Sequence, residues 1–133
     1  MRIREGEIVP GERISDVVIG MTREQLLKLY PNYSKKTDSI PYGSAIIEYD
    51  NAIISLDDNI VTQIGVMNNF KGSYNNLSIG TEVGKTGYKI YYEIKDYTFY
   101  VEGINGICLE ITDDYDDNME NEKITHIFVY GKD

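Results

Sequence analysis

The sequence predicts an α+β domain: a tandem duplication of a unit made of one short helix and an antiparallel β-meander, mostly antiparallel sheet with one or two short helices. Three observations predict it. Apolar residues recur with a period of two through 45–50, 52–57 and 60–67, the pattern of half-buried strands. A helix-start signal and a helical apolar face stand just ahead of them, over 22–30. The same succession of segments restarts about sixty residues later.

Residues 1–13 are polar and carry Gly and Pro, so they read as an arm or a first edge strand. An apolar strand over 14–20 ends at Gly20. Thr22 is a good N-cap, and Gln25 three residues on completes a capping box. Leu26, Leu27 and Tyr30 then share one helical face. Pro31 stops the helix, because the residue before a proline is pushed out of the α region. In the meander, the turns fall at Asp50-Asn51 and Asp57-Asp58-Asn59, residue types that tolerate left-handed backbone.

The restart is explicit. Leu77-Ser78-Ile79-Gly80-Thr81 echoes Val17-Val18-Ile19-Gly20. Residues 97–101 alternate like the first meander strand, and 107–111 echo 52–56. Ile124-Thr125-His126-Ile127-Phe128-Val129 matches Val61-Thr62-Gln63-Ile64-Gly65-Val66 at an offset of 63. The expected organisation is a single domain, 1–133, with half-repeats of about 14–67 and 74–130. Each half is too small to bury a sheet face alone, so the halves should pair about a pseudo-twofold axis. About seven or eight short strands in one or two sheets are expected, none parallel, since no long crossover helix is present. The second half departs in two places. Residues 81–87 carry two glycines, each costing ~1 kcal/mol inside a helix. Its last hairpin is also enlarged by an acidic stretch.

Composition narrows the function classes. At 133 residues the chain needs no disulfide or metal staple to hold a core. It has 13 basic and 22 acidic residues, a net charge of −9, which repels nucleic acid and attracts basic partners. Solubility alone is the competing explanation of that charge. Tyrosine, at 12 residues against 3 Phe and no Trp, is the main aromatic, and strands so rich in it would suit a homodimer. The lone Cys108 excludes an internal disulfide and points to a reducing compartment. No apolar stretch marks a signal peptide or a membrane span, so a cytoplasmic protein with no membrane partner is expected.

Catalytic and metal chemistry find no foothold. Gly80 and Gly84 enclose three residues where a phosphate-binding loop needs four, and residues 87–92 read as strand rather than helix. A glycine-rich turn is the better reading. His126, the one histidine, has no assignable nucleophile or orienting partner. Cys108 lies among apolar residues and close to acids, which suits a small hydrophobe better than a reactive thiol. No His/Cys cluster offers a zinc site. No catalytic residue, metal site or cofactor is therefore expected.

One feature remains. From Glu110 to Glu122 there are seven acids and no base. The helix–loop–helix calcium pattern fails, because counting from Asp114 puts Met119 where Gly is needed and Thr125 where Glu is needed. An irregular calcium site, a solvated hairpin and a docking surface for a basic partner stay open. As a docking surface, its partner-binding residues are Asp113, Asp114, Tyr115, Asp116, Asp117, Glu120 and Glu122, with Tyr115 as aromatic anchor.

The segment Ile19-Gly20-Met21-Thr22-Arg23-Glu24-Gln25-Leu26, closing at Tyr30-Pro31, resembles the start of the helix in small bacterial α+β proteins, including outer-membrane assembly lipoproteins. The tandem form without a lipoprotein signal more closely resembles immunity proteins of bacterial toxin–immunity systems of the contact-dependent growth inhibition type. The resemblance implies a cytosolic, non-catalytic protein that binds and neutralises one cognate toxin, many such toxins being basic nucleases. It transfers no functional residues. A structural or assembly module of the bacterial envelope, or a domain binding a small molecule between its halves, are the alternatives.

Overall fold

The structure, a computed structural model, describes residues 1–39, 43–112 and 119–131. It opens with an arm whose Ile3 is buried. The fully buried Asn51 side chain holds that arm as a neighbouring strand would. Its Oδ1 accepts from the Ile3 N–H at 2.9 Å, and its Nδ2 donates to the Ile3 carbonyl at 3.0 Å. Asn51→Ala strips the partners from both the N–H and the carbonyl of the buried Ile3, and we expect a loss of roughly 2–4 kcal/mol in urea unfolding.

Three two-residue strands follow, β1 (Ile8–Val9), β2 (Arg13–Ile14) and β3 (Val17–Val18), forming a small sheet in that order. The single strand expected over 14–20 is thus a tight hairpin. Ser15 takes the left-handed conformation (φ 56°) and folds the chain back, so Ile14 and Val17 face each other and are both buried. Helix α1 (Arg23–Leu29) starts as its sequence dictates. The Thr22 hydroxyl accepts from the Gln25 N–H at 3.1 Å, while the Gln25 side chain accepts from the Thr22 N–H at 2.9 Å. Leu26 is its one fully buried residue.

The first meander is β4 (Lys35–Ser39), β5 (Ser44–Tyr49), β6 (Ala52–Asp57) and β7 (Ile60–Val66). A small hairpin, β8 (Ser73–Tyr74) with β9 (Leu77–Ser78), and a 3-10 turn at Val83–Lys85 lead to the second. That comprises β10 (Ile90–Glu93), β11 (Thr98–Val101), β12 (Ile107–Ile111) and β13 (Ile124–Tyr130). The two meanders join through β13 and β7 into one eight-stranded sheet, ordered β10-β11-β12-β13-β7-β6-β5-β4. All its pairings are antiparallel.

The expected fold class is overturned. The chain is a mostly-β protein with thirteen strands in three sheets and a single α-helix among the described residues, not a duplicated helix-plus-meander α+β unit. Where the second, glycine-weakened helix would fall, the chain makes only the Val83–Lys85 turn. A Cβ on Gly84 would lie 2.9 Å from the Glu120 Cβ, and Gly87 has φ +80°. The two glycines serve close approach and a left-handed turn, and no helix propagates through them.

One face of the large sheet is core. Ile47, Ile54, Ile64, Val129 and Ile107 are register neighbours across five strands, and each is fully buried. Ile8, Ile14, Val17, Leu26, Leu77 and Val83 belong to the same cluster, so the small sheets, the helix and the turn cover this face. No helix among the described residues is long and apolar enough to cross a membrane.

Candidate functional site on the open face of the sheet

Strand side chains alternate, so burying one face turns every second residue onto the other. Paired residues share a face, which lets the uncovered side be traced strand by strand. Tyr91 pairs with Tyr100, Tyr100 with Cys108, Cys108 with Phe128, Phe128 with Gly65, and Gly65 with Ile53. These residues make an apolar and aromatic row across six strands, opposite the core. Beyond Ile53 the row turns charged, through Glu48 to Lys35.

Gly65 makes the centre of the row possible. A Cβ there would lie 2.6 Å from the Phe128 ring and 2.9 Å from Ile53 Cγ2, so the ring lies directly over the glycine backbone. His126 stacks on the same ring, with centroids 5.9 Å apart and planes 3° from parallel. Tyr91 and Tyr100 meet at the outer end, 6.0 Å between centroids.

Carboxylates flank the row. The Tyr100 hydroxyl donates to Asp96 Oδ2 at 2.8 Å, and that bond, with a smaller contribution from burial, holds the phenol above its usual pKa. Glu110 lies 3.1 Å from His126 Nδ1. Asp96, Glu110, Tyr97, Tyr100, Cys108 and Phe128 line a shallow hollow of about 430 Å³. The 94–97 turn forms its rim, with Ile94 72% and Tyr97 80% exposed. The charge is lopsided along the chain: residues 72–133 hold five Lys and Arg against twelve Asp and Glu, a net of −7 out of −9.

Cys108 sits in the row but is nearly closed over, and burial above all pushes its thiol up to about 11. A cysteine so shifted presents roughly a hundredfold less thiolate at pH 8 than an ordinary one. We expect a disulfide reagent to modify it at least that much more slowly than free cysteine. A rate near that of free cysteine would mean that Tyr100 and Phe128 do not cover it.

Of the expected site residues, Asp113, Asp114, Tyr115, Asp116 and Asp117 lie outside the described residues. Glu120 is exposed in the 3-10 turn Met119–Asn121, beside Gly84. Glu122 is buried, and its carboxylate accepts from the Thr112 hydroxyl across the base of the hairpin. His126 stands on the open face, half-buried. Lys85, next to Gly84 in the glycine-rich turn, is paired with Glu82 at 2.8 Å. Among the described residues no group of three or more His, Cys, Asp or Glu converges to hold a metal.

The aromatic row is not legible from the core phase of each strand, which carries the period-two apolar pattern. Its signal was there: Tyr91, Tyr100, Phe128 and Tyr130 all fall in the opposite phase, where solvated strands carry polar residues. A second exposed apolar groove, lined by Val18, Ile19, Met21 and Leu29 beside α1, has few polar groups to orient a ligand.

No protein-family model matches the chain, and no curated protein matches it. Among solved structures it is similar to a cysteine-rich secretory protein from Staphylococcus aureus, with 12% identity and a TM-score of 0.53 over 92% of this chain and 46% of that one. The chain thus spans less than half of that protein's length, and at this identity the likeness shows the fold alone.

Proposed function

We propose that the chain works by binding rather than by catalysis, as an immunity protein that neutralises a cognate toxin of basic character in the cytosol. The observation that carries this reading is the aromatic row on an uncovered sheet face, edged by Asp96 and Glu110 within the strongly acidic half of the chain. Tyrosines supply contact area at little conformational cost, and the surrounding carboxylates speed encounter with a positive partner. An apolar stripe in such a setting marks an interaction surface more often than a solvated face.

Co-expression with the product of the neighbouring reading frame tests the reading. A one-to-one complex that restores growth, and whose association slows as salt rises, is expected. Absence of a complex, or a complex indifferent to salt, would sink it.

A further inference from the structure

The two edges of the eight-stranded sheet are built differently. At one end β4 exposes all five of its residues and carries Lys35, Lys36 and Asp38, the charged dressing that keeps an edge from pairing. At the other end β10 reads Ile90-Tyr91-Tyr92-Glu93, with no Lys or Pro inside it. Tyr91 and Tyr92 are 42% and 44% exposed, and the exposed Ile94 follows directly. The backbone phase of this edge can be assigned. The Glu102 N–H donates to the Lys89 carbonyl at 2.8 Å, so Lys89, Tyr91 and Glu93 turn their amide groups toward β11. Those of Ile90 and Tyr92 therefore face outward, and no strand or loop among the described residues pairs with them.

The geometry points to β10 as a docking edge that accepts an extended basic segment of the partner as an added antiparallel strand of this sheet. This rests on the proposed binding role and says how the partner is held. Charge selects the occupant. Glu93 and Asp96 lie at the edge beside Lys95, Glu102 is already paired with Lys89 at 3.8 Å, and the surrounding half of the chain is net negative. A second copy carries the same net negative charge, whereas a lysine-bearing strand complements it. The phase then fixes the guest's side chains. Residues opposite Tyr91 and Glu93 emerge on the open face beside the carboxylates, so these are the basic ones. Residues opposite Ile90 and Tyr92 emerge beside Tyr92 and Phe99, whose rings lie 5.0 Å apart, so these are apolar.

A blocked ten-residue peptide of alternating lysine and valine is the probe, titrated against the full chain by fluorescence anisotropy. In the docked arrangement its valine amides bond to Ile90 and Tyr92 while its lysine amides point to solvent. N-methylation of the valine amides is expected to weaken binding at least about tenfold, and N-methylation of the lysine amides less than about twofold. Tyr92→Pro, whose lost N–H faces outward and takes no bond from the sheet, should weaken the unmodified peptide similarly with the circular dichroism spectrum retained. Absence of peptide binding overturns the proposal. So does equal binding of both methylated peptides. In that case weakening by Asp96→Asn with Glu110→Gln leaves the open face standing as the binding surface, and no weakening removes both. A dimer in sedimentation that Tyr92→Pro breaks assigns the edge to a second copy and likewise overturns it.

Discussion

Ile64→Ala lowers the free energy of unfolding by roughly 2–5 kcal/mol. Ile64 lies in β7, one of the two strands that join the meanders, and is fully buried between Ile54 and Val129 on the core face. The neighbouring strands are fixed by their backbone ladders, so the site cannot collapse around the missing atoms, and a cavity remains. Urea unfolding should show a lower midpoint with an unchanged slope. The matched control is Tyr100→Ala on the opposite face, where the same measurement should move by about 1 kcal/mol or less, since no packed layer covers that ring. Comparable losses from both would mean that both faces of the sheet are core.

Reversing two charges on the open face, Asp96→Lys with Glu110→Lys, slows association with the proposed basic partner by roughly tenfold to a hundredfold at low salt. Most of the effect should vanish as ionic strength rises and the Debye length falls to about 8 Å or less. Stopped-flow measurement across a salt series reads both quantities. Stability changes little, because both side chains lie at the surface, where Asp96 accepts from the Tyr100 hydroxyl and Glu110 faces the half-buried His126. An association rate that ignores the double reversal would take Asp96 and Glu110 out of the interface.

Much of the scaffold was legible because it is local. The Thr22–Gln25 capping box, the Pro31 stop and the period-two strands β5, β6, β7, β12 and β13 are each dictated by neighbours in sequence. What failed depended on other things. The break between β2 and β3 hangs on the left-handed backbone at Ser15, a residue that rarely adopts it. β4 has five exposed residues and no alternation to betray it; it exists because β5 offers an edge. One or two helices were expected, the second weakened by its two glycines, and Gly84 is required by its contact with Glu120, far along the chain. The candidate surface stayed hidden for a related reason. Tyr91, Tyr100, Cys108 and Phe128 are scattered through 38 positions, and only the strand register lines them up.

The central claim is that the partner is held against the open face of the sheet. Hydroxyl-radical footprinting of the chain, alone and in complex with the proposed basic partner, tests this most directly, because the residues in question are reactive aromatics and the core residues are not accessible. Tyr91, Tyr97, Tyr100 and Phe128 should lose labelling on binding, while Met21 and Leu29 in the groove beside α1 keep theirs. Protection of Met21 and Leu29 with the four aromatics unchanged would contradict the account.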